Sequence, residues 1–242
     1  MEFVQFLVIG VVVLGSACLQ GSIGFGLGMI TAPVLALLRP DLLPAALLFL
    51  ATLTSLTAFV RERHDVDWRI VGWGALGRVP GIAIGTVAVI MLPDAGLSLM
   101  LAITVLAGAA FSLVGWSPAA SHRNMFFASS VSGIFGTATS IGGPPISLVL
   151  RSLDPSSMRS TMSAYFTLGS ILSLSGLAIG GEVQTSHVIA AAALLPFMIT
   201  GLWLSNFVIR RADRQLLYRL AVGASIFGAL LVIAEAVRSA LG

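Results

Sequence analysis

Two glycine-rich stretches and one arginine are the residues of this chain whose types and spacing could do chemistry. The first stretch, GSIGFGLGMITAP from Gly21 to Pro33, sets Gly24, Gly26 and Gly28 beside Ser22 and Thr31. The second, SGIFGTATSIGGPP from Ser132 to Pro145, sets Gly142 and Gly143 beside Thr139 and Ser140 and ends on Pro144 and Pro145. Glycine and proline weaken helices, and in lipid each unpaired backbone amide costs several kcal/mol. Helices broken there are tolerated where the freed groups line a cavity, and the amides at a half-helix N-terminus bind anions with help from the helix dipole. Missing side chains let a ligand approach the backbone, hydroxyls add donors, and proline suits the first turn of a returning helix. Arg78 lies ten residues into an apolar run that begins at Trp68, hence about 15 Å deep at 1.5 Å per residue. A guanidinium in a cavity at that depth binds planar oxygens through two hydrogen bonds. Glu235 lies near the end of its helix and the other acids lie in loops or at interfaces, so no acid at comparable depth neutralises it. Together these residues specify an anion site, against a purely structural reading in which the glycines pack helices and Arg78 ties down backbone carbonyls.

The elements that must hold such a site are membrane helices. Of 242 residues 57% are hydrophobic and 10% charged, and apolar runs of about 20 residues recur along the chain. Six crossings are predicted, over 42–60, 68–92, 96–115, 161–180, 187–209 and 216–237, with no stretch polar enough for an extramembrane domain. The first run has neither a basic leader nor a small-residue cleavage site, so a removed signal peptide is not expected. Cys18 is the only cysteine, which excludes an internal disulfide and a cysteine metal cluster. All thirteen basic residues are arginines and, Arg78 apart, they fall at helix ends, not on a nucleic-acid surface. His64, His122 and His187 lack zinc-pair spacing and read as interfacial. Neither an intramembrane acid pair nor a Gly-x-Ser-x-Gly elbow occurs, and the first glycine run does not match Gly-x-Gly-x-x-Gly, so an enzyme is not expected.

Each trio of crossings follows one odd segment, Phe3 to Leu38 or Met125 to Leu150, which reads as an internal duplication. Gly21, Gly24 and Pro33 fall 112 positions before Gly133, Gly136 and Pro145, and offsets up to 120 match the later helices. Gly81-x-x-x-Gly85 then faces Gly201-x-x-x-Ser205, a spacing that lets helices approach closely. Only 27 residues separate Arg123 from Arg151, too few for two passes of about 20 residues each. Counting arginines chooses between one pass and a re-entrant hairpin. Single passes divide the soluble-side arginines 7 against 5. Hairpins gather ten (Arg61, Arg63, Arg69, Arg123, Arg151, Arg159, Arg210, Arg211, Arg214, Arg219) against Arg39 and Arg238, a strong positive-inside pattern with both termini outside. The fold expected is an all-α polytopic membrane protein, a single transmembrane domain over 1–242. It is built as an inverted repeat of two halves, about 1–116 and 123–242, each a Gly/Pro-broken re-entrant hairpin plus three transmembrane helices. The broken segments meet near the midplane, where secondary transporters commonly bind substrate.

The paired motifs, each leading three helices, and the VDWR string at Val66 to Arg69 resemble the TauE/SafE (DUF81) family of sulfite and organosulfonate exporters over nearly the whole chain. The resemblance implies a permease for small sulfur oxyanions in a bacterial inner membrane. The compressed Gly142-Gly143-Pro144-Pro145 and the GGEVQTSHV string depart from the family pattern. The expected substrate-binding residues are Gly24, Gly26, Gly28, Thr31, Arg78, Thr139, Ser140, Gly142, Gly143 and Pro145, of which Arg78 rests on charge alone. No cofactor and no metal are expected. The expected partners are a small anionic substrate and membrane lipid, with proton and sodium both open as coupling ion and a homodimer among the assemblies allowed. An anion channel, a carrier of another carboxylate or oxyanion, and an assembly factor are the alternatives.

Overall fold

A computed structural model describes residues 3–23, 26–114, 118–211 and 213–241. Among these residues the secondary structure is helical, without strands. In order come α1 (Phe3–Ile23), α2 (Leu27–Leu38), α3 (Ala45–Glu62), α4 (Trp68–Met91), α5 (Asp94–Val114), α6 (His122–Thr139), α7 (Gly143–Leu150), α8 (Pro155–Ile179), α9 (Thr185–Arg211) and α10 (Arg214–Leu241). The six predicted crossings correspond to α3, α4, α5, α8, α9 and α10. The two odd segments are the broken pairs α1–α2 and α6–α7. Helix α8 starts at Pro155, six residues before the predicted crossing, because Asp154 caps it by accepting from Ser157 N–H (2.9 Å) and proline occupies its first turn. Asp67 caps α4 in the same way, accepting from Arg69 and Ile70 N–H (3.0 Å each).

The surface is inverted relative to a water-soluble protein. Ile179, Met91 and Trp203 are 89%, 75% and 61% exposed, while Ser129, Ser132, Thr137, Ser173 and Arg78 are buried. Among the described residues six helices (α1, α3, α4, α8, α9 and α10) are long and apolar enough to span a bilayer, and α5 contributes a shorter apolar stretch, Asp94–Ala110. Large apolar side chains facing outward around a hydroxyl-rich interior are what lipid as solvent requires. This is an integral, multi-pass membrane protein.

Small residues set the packing. Helices α4 and α6 run side by side in the same direction: a Cβ on Gly77 would strike the Phe126 carbonyl, on Gly81 the Ser130 carbonyl, and on Gly85 the Ile134 carbonyl (2.7 Å). Helices α1 and α9 also run parallel, with Gly10 on Phe197, Gly201 on the Leu14 carbonyl and Gly21 on Ser205. The Gly81-x-x-x-Gly85 and Gly201-x-x-x-Ser205 spacings therefore serve close backbone approach.

Polar contacts fix the two ends. At one end Arg61 Nη2 donates to Asn206 Oδ1 (2.6 Å), Arg159 pairs with Glu62, Ser157 Oγ donates to the Asp65 carbonyl (2.9 Å), and Ala120 N–H donates to Ser152 Oγ (2.9 Å). The last contact joins the residues before α6 to those after α7, so this broken pair returns to the end it leaves. At the opposite end Gln184 N–H donates to His187 Nδ1 (3.1 Å), which leaves His187 Nε2 to donate to the Asp41 carbonyl (2.8 Å). Ser140, just past α6, donates there to the Pro44 carbonyl (2.9 Å). Arg39 forks onto Asp41 (2.8 and 2.6 Å), holding that carboxyl below the usual carboxylate range and raising its own guanidinium. Since α9 ends where α4 begins, the α1/α9 pair runs opposite to the α4/α6 pair. Helix α1 has 21 residues against 18 in α6, and its Gly21 meets Ser205 near the arginine-rich end.

Candidate functional site

Both breaks open on one cavity. Gly26 precedes α2 with φ 135°, a backbone that L side chains rarely adopt, and its carbonyl accepts from Ile30 N–H (3.1 Å). Gln20, on the last turns of α1, caps α2 by accepting from Leu27 N–H through Oε1 (3.2 Å). That leaves Gly28 and Met29 as the other first-turn amides of α2. In the second break Ser140 sits in the left-handed region (φ 62°), which turns the chain back, and Ser132 Oγ donates to the Gly142 carbonyl (2.7 Å). Helix α7 then begins Gly143-Pro144-Pro145. Two prolines remove two first-turn donors, so Gly143 supplies the remaining amide. The two breaks touch: a Cβ on Gly28 would lie 2.5 Å from the Ser140 carbonyl oxygen.

Arg78 lines the same cavity and is 2% exposed. Its Nη1 donates to Ser132 Oγ (3.2 Å) and Tyr165 Oη (3.1 Å), and its Nη2 to Ser173 Oγ (3.3 Å). Among the described residues its Nε has no partner. The guanidinium lies flat on Gly169 of α8, where a Cβ would stand 2.7 Å from Cζ. All three of these partners are neutral hydroxyls, and the described salt bridges involve other residues. A buried cation on an oriented hydroxyl cradle, with its Nε–H uncommitted, in a cavity that the glycines of both breaks line, can bind an oxyanion.

The cavity has a volume of about 80 Å³ and is lined by Gly26, Gly28, Arg78, Ser140, Gly142 and Gly143, with Thr54, Ser55, Phe166 and Ser170 alongside. That is room for one small anion. Gln20, Thr54, Ser55 and Phe166 also border a second cavity of about 170 Å³, which extends to Arg61, Glu62, Arg159 and Asn206 at the arginine-rich end. A third, of about 280 Å³, lies at the opposite end among Asp41, Asp94, Glu182 and His187, and has no lining residue in common with the first. The central cavity therefore adjoins the arginine-rich one, while Ser140 on its other side is bonded to the Pro44 carbonyl.

Of the ten residues expected from the sequence, Gly26, Gly28, Arg78, Ser140, Gly142 and Gly143 come together here. Gly24 lies outside the described residues. Thr31 faces α1, bonded to Ser16 Oγ (2.7 Å), and Thr139 returns its hydroxyl to the Phe135 carbonyl (2.7 Å); neither lines the cavity. Pro145 borders an outward groove with Phe127 and Val131. Sequence reasoning missed Gln20, Thr54, Ser55, Ser170 and the cradle of Ser132, Tyr165 and Ser173. The available signal was the run of hydroxyl residues at helical spacing in α8, Ser163, Thr167 and Ser170, all buried in an otherwise apolar helix.

Comparison with known proteins follows the same line. The family model described as "Sulfite exporter TauE/SafE" matches residues 8–232. A curated relative from Cupriavidus necator, described as "Probable sulfite/organosulfonate exporter TauE", is 29% identical over 190 residues, covering 73% of each chain. No solved structure matches. A match over nearly the whole length, on a membrane chain broken twice around a buried arginine, places this protein in the TauE/SafE sulfite exporter family.

Proposed function

We propose that this protein exports small sulfur oxyanions, sulfite or organosulfonates, by alternating access, with Arg78 and the two helix breaks as the substrate site. The observation that carries the reading is Arg78: a buried cation with neutral partners and an uncommitted Nε, in a cavity where both breaks meet. An arginine at the bilayer centre costs at least about 2.5–3.5 kcal/mol on insertion scales, so it is kept for what it binds. The relative's name supports a sulfur oxyanion as that ligand. A central cavity that shares lining residues with one end cavity and none with the other favours a carrier over a channel.

Transport on this reading uses two inverted halves. Exchanging α1–α5 with α6–α10 turns the α4/α6 contact into α9/α1, and α4/α8 into α9/α3, while α3/α8 and α5/α10 map onto themselves; all of these contacts occur. The helix caps Gly26 and Gly142 are 116 positions apart, within the 112 to 120 range of the sequence match. Rocking about that pseudo-two-fold closes the arginine-rich vestibule and opens the acidic one. The positive-inside rule makes the arginine-rich end cytoplasmic, so the cavity as described receives substrate from inside.

Purified protein in liposomes loaded with sulfite is expected to release it with saturation and to exchange labelled sulfite across the membrane faster than it performs net efflux. Linear, unsaturable flux supports the channel instead; absence of flux for sulfite, taurine and methanesulfonate alike removes the proposal. For orientation, single cysteines at His122 and Glu182 in a Cys18→Ser background are treated with a membrane-impermeant maleimide from outside. Only the cysteine at 182 is expected to react, and the reverse pattern overturns the assignment of sides.

A further inference from the structure

We infer that the central site is a monoanion site, which selects its ligand by charge and excludes dianions such as sulfate. The inference rests on the reading of the Arg78 cavity as the substrate site and fixes the charge class of what that site accepts.

Arg78 brings one positive charge, and its three hydroxyl partners bring none. Among the described lining residues there is no carboxylate and no imidazole. Glu62, the acid that lines the adjoining vestibule, is paired with Arg159. Seated on Gly169 and held on both Nη1 and Nη2, the guanidinium is not free to swing toward it.

The helix ends do not change the sum. Each break brings together a C-terminus and an N-terminus: α1 with α2, and α6 with α7. Each terminus carries roughly half an elementary charge, negative at the C-terminus and positive at the N-terminus, so the two ends at each break cancel to first order. The other half of the molecule adds nothing either. The stretch of α9 that corresponds to the region of Arg78 carries Met198, whose sulfur accepts from Thr54 Oγ1 (3.1 Å). The site as a whole therefore holds one net positive charge.

A ligand of charge −1 leaves the occupied cavity neutral. A dianion leaves one uncompensated negative charge in it, with Gly28, Met29 and Gly143 amides and the arginine as donors and no second cation to meet it. Desolvating an unpaired charge in a protein interior is strongly unfavourable. Alkyl sulfonates are monoanions at every physiological pH. Sulfite loses its second proton near neutrality, so hydrogensulfite is the form that fits. Sulfate, which differs from sulfite by one oxygen, is dianionic throughout and is rejected by its charge before its size matters.

The test is titration calorimetry of the purified full chain in detergent with methanesulfonate, sulfite and sulfate, one pH unit below and one above neutrality. Methanesulfonate is expected to bind equally at both. Sulfite is expected to bind several-fold tighter on the acid side, in proportion to the hydrogensulfite fraction. Sulfate is expected to bind about 100-fold more weakly than methanesulfonate. Sulfate within a few-fold of methanesulfonate, or sulfite binding tighter on the alkaline side, overturns the monoanion assignment while leaving Arg78-dependent binding in place. Failure of all three anions to bind overturns the substrate-site reading and this inference with it.

Discussion

Arg78→Met is expected to abolish anion binding and flux while leaving the melting temperature within a few degrees of wild type. The two halves of that expectation come from the same observation. Arg78 is buried without a carboxylate, so its removal relieves the desolvation of a lone charge. The relief is offset by the Tyr165 hydroxyl, which loses a partner at about 1–3 kcal/mol. Ser132 and Ser173 keep the Gly142 carbonyl and Thr137 (2.7 and 2.9 Å), and so are not orphaned. Binding has no such offset. Losing a buried charge that faces a bound anion costs about 2–5 kcal/mol, or about 30-fold to several thousand-fold in Kd. Arg78→Lys keeps the charge but not the flat fork, and is expected to bind with intermediate affinity. Thermal unfolding in detergent and flux in liposomes, measured on the same preparations, separate the roles: a variant that unfolds early makes Arg78 a structural tie, and one that still transports removes it from the site.

The crossings were legible because lipid imposes a length and a composition on every spanning helix. The breaks were legible because Gly26, Gly142 and the Pro144-Pro145 pair violate that composition. Arg78 was legible for the same reason, as a charge where hydrocarbon should be. The direction of a hydroxyl was not. Thr31 and Thr139 stand beside the breaks in sequence, yet each satisfies itself within its own hairpin, while Ser170 and Ser173, some 30 positions away, face the centre. The spacing of Ser163, Thr167 and Ser170 marks one face of α8 but not which neighbour that face meets, so the hydroxyls could not be assigned to the site before the helices were packed. The depth of the first break was hidden as well, since it depends on how far α1 runs along α9, and that is set by Gly21 meeting Ser205 and Gly201 meeting the Leu14 carbonyl.

Gly28→Ala is the second large effect expected, and it acts on the distance between the breaks. The added Cβ would stand 2.5 Å from the Ser140 carbonyl oxygen, which is backbone and cannot rotate away, so α2 or the 140–142 turn must move by several tenths of an ångström. Ser140 is tethered by its bond to the Pro44 carbonyl, and both Gly28 and Ser140 line the cavity, so the displacement falls on groups of the site. Misplacing binding groups by about 1 Å costs on the order of 100-fold where function depends on their geometry. Transport is therefore expected to fall about 10- to 100-fold. The protein should still insert and fold, because the α1/α9 and α4/α6 contacts that organise it are untouched. Gly15→Ala, in the same broken segment but facing open space, is the matched control and is expected to leave flux unchanged. Equal losses in the two variants would mean that alanine damages the first segment as a helix; a loss confined to Gly28→Ala would make the contact between the breaks the element that transport requires.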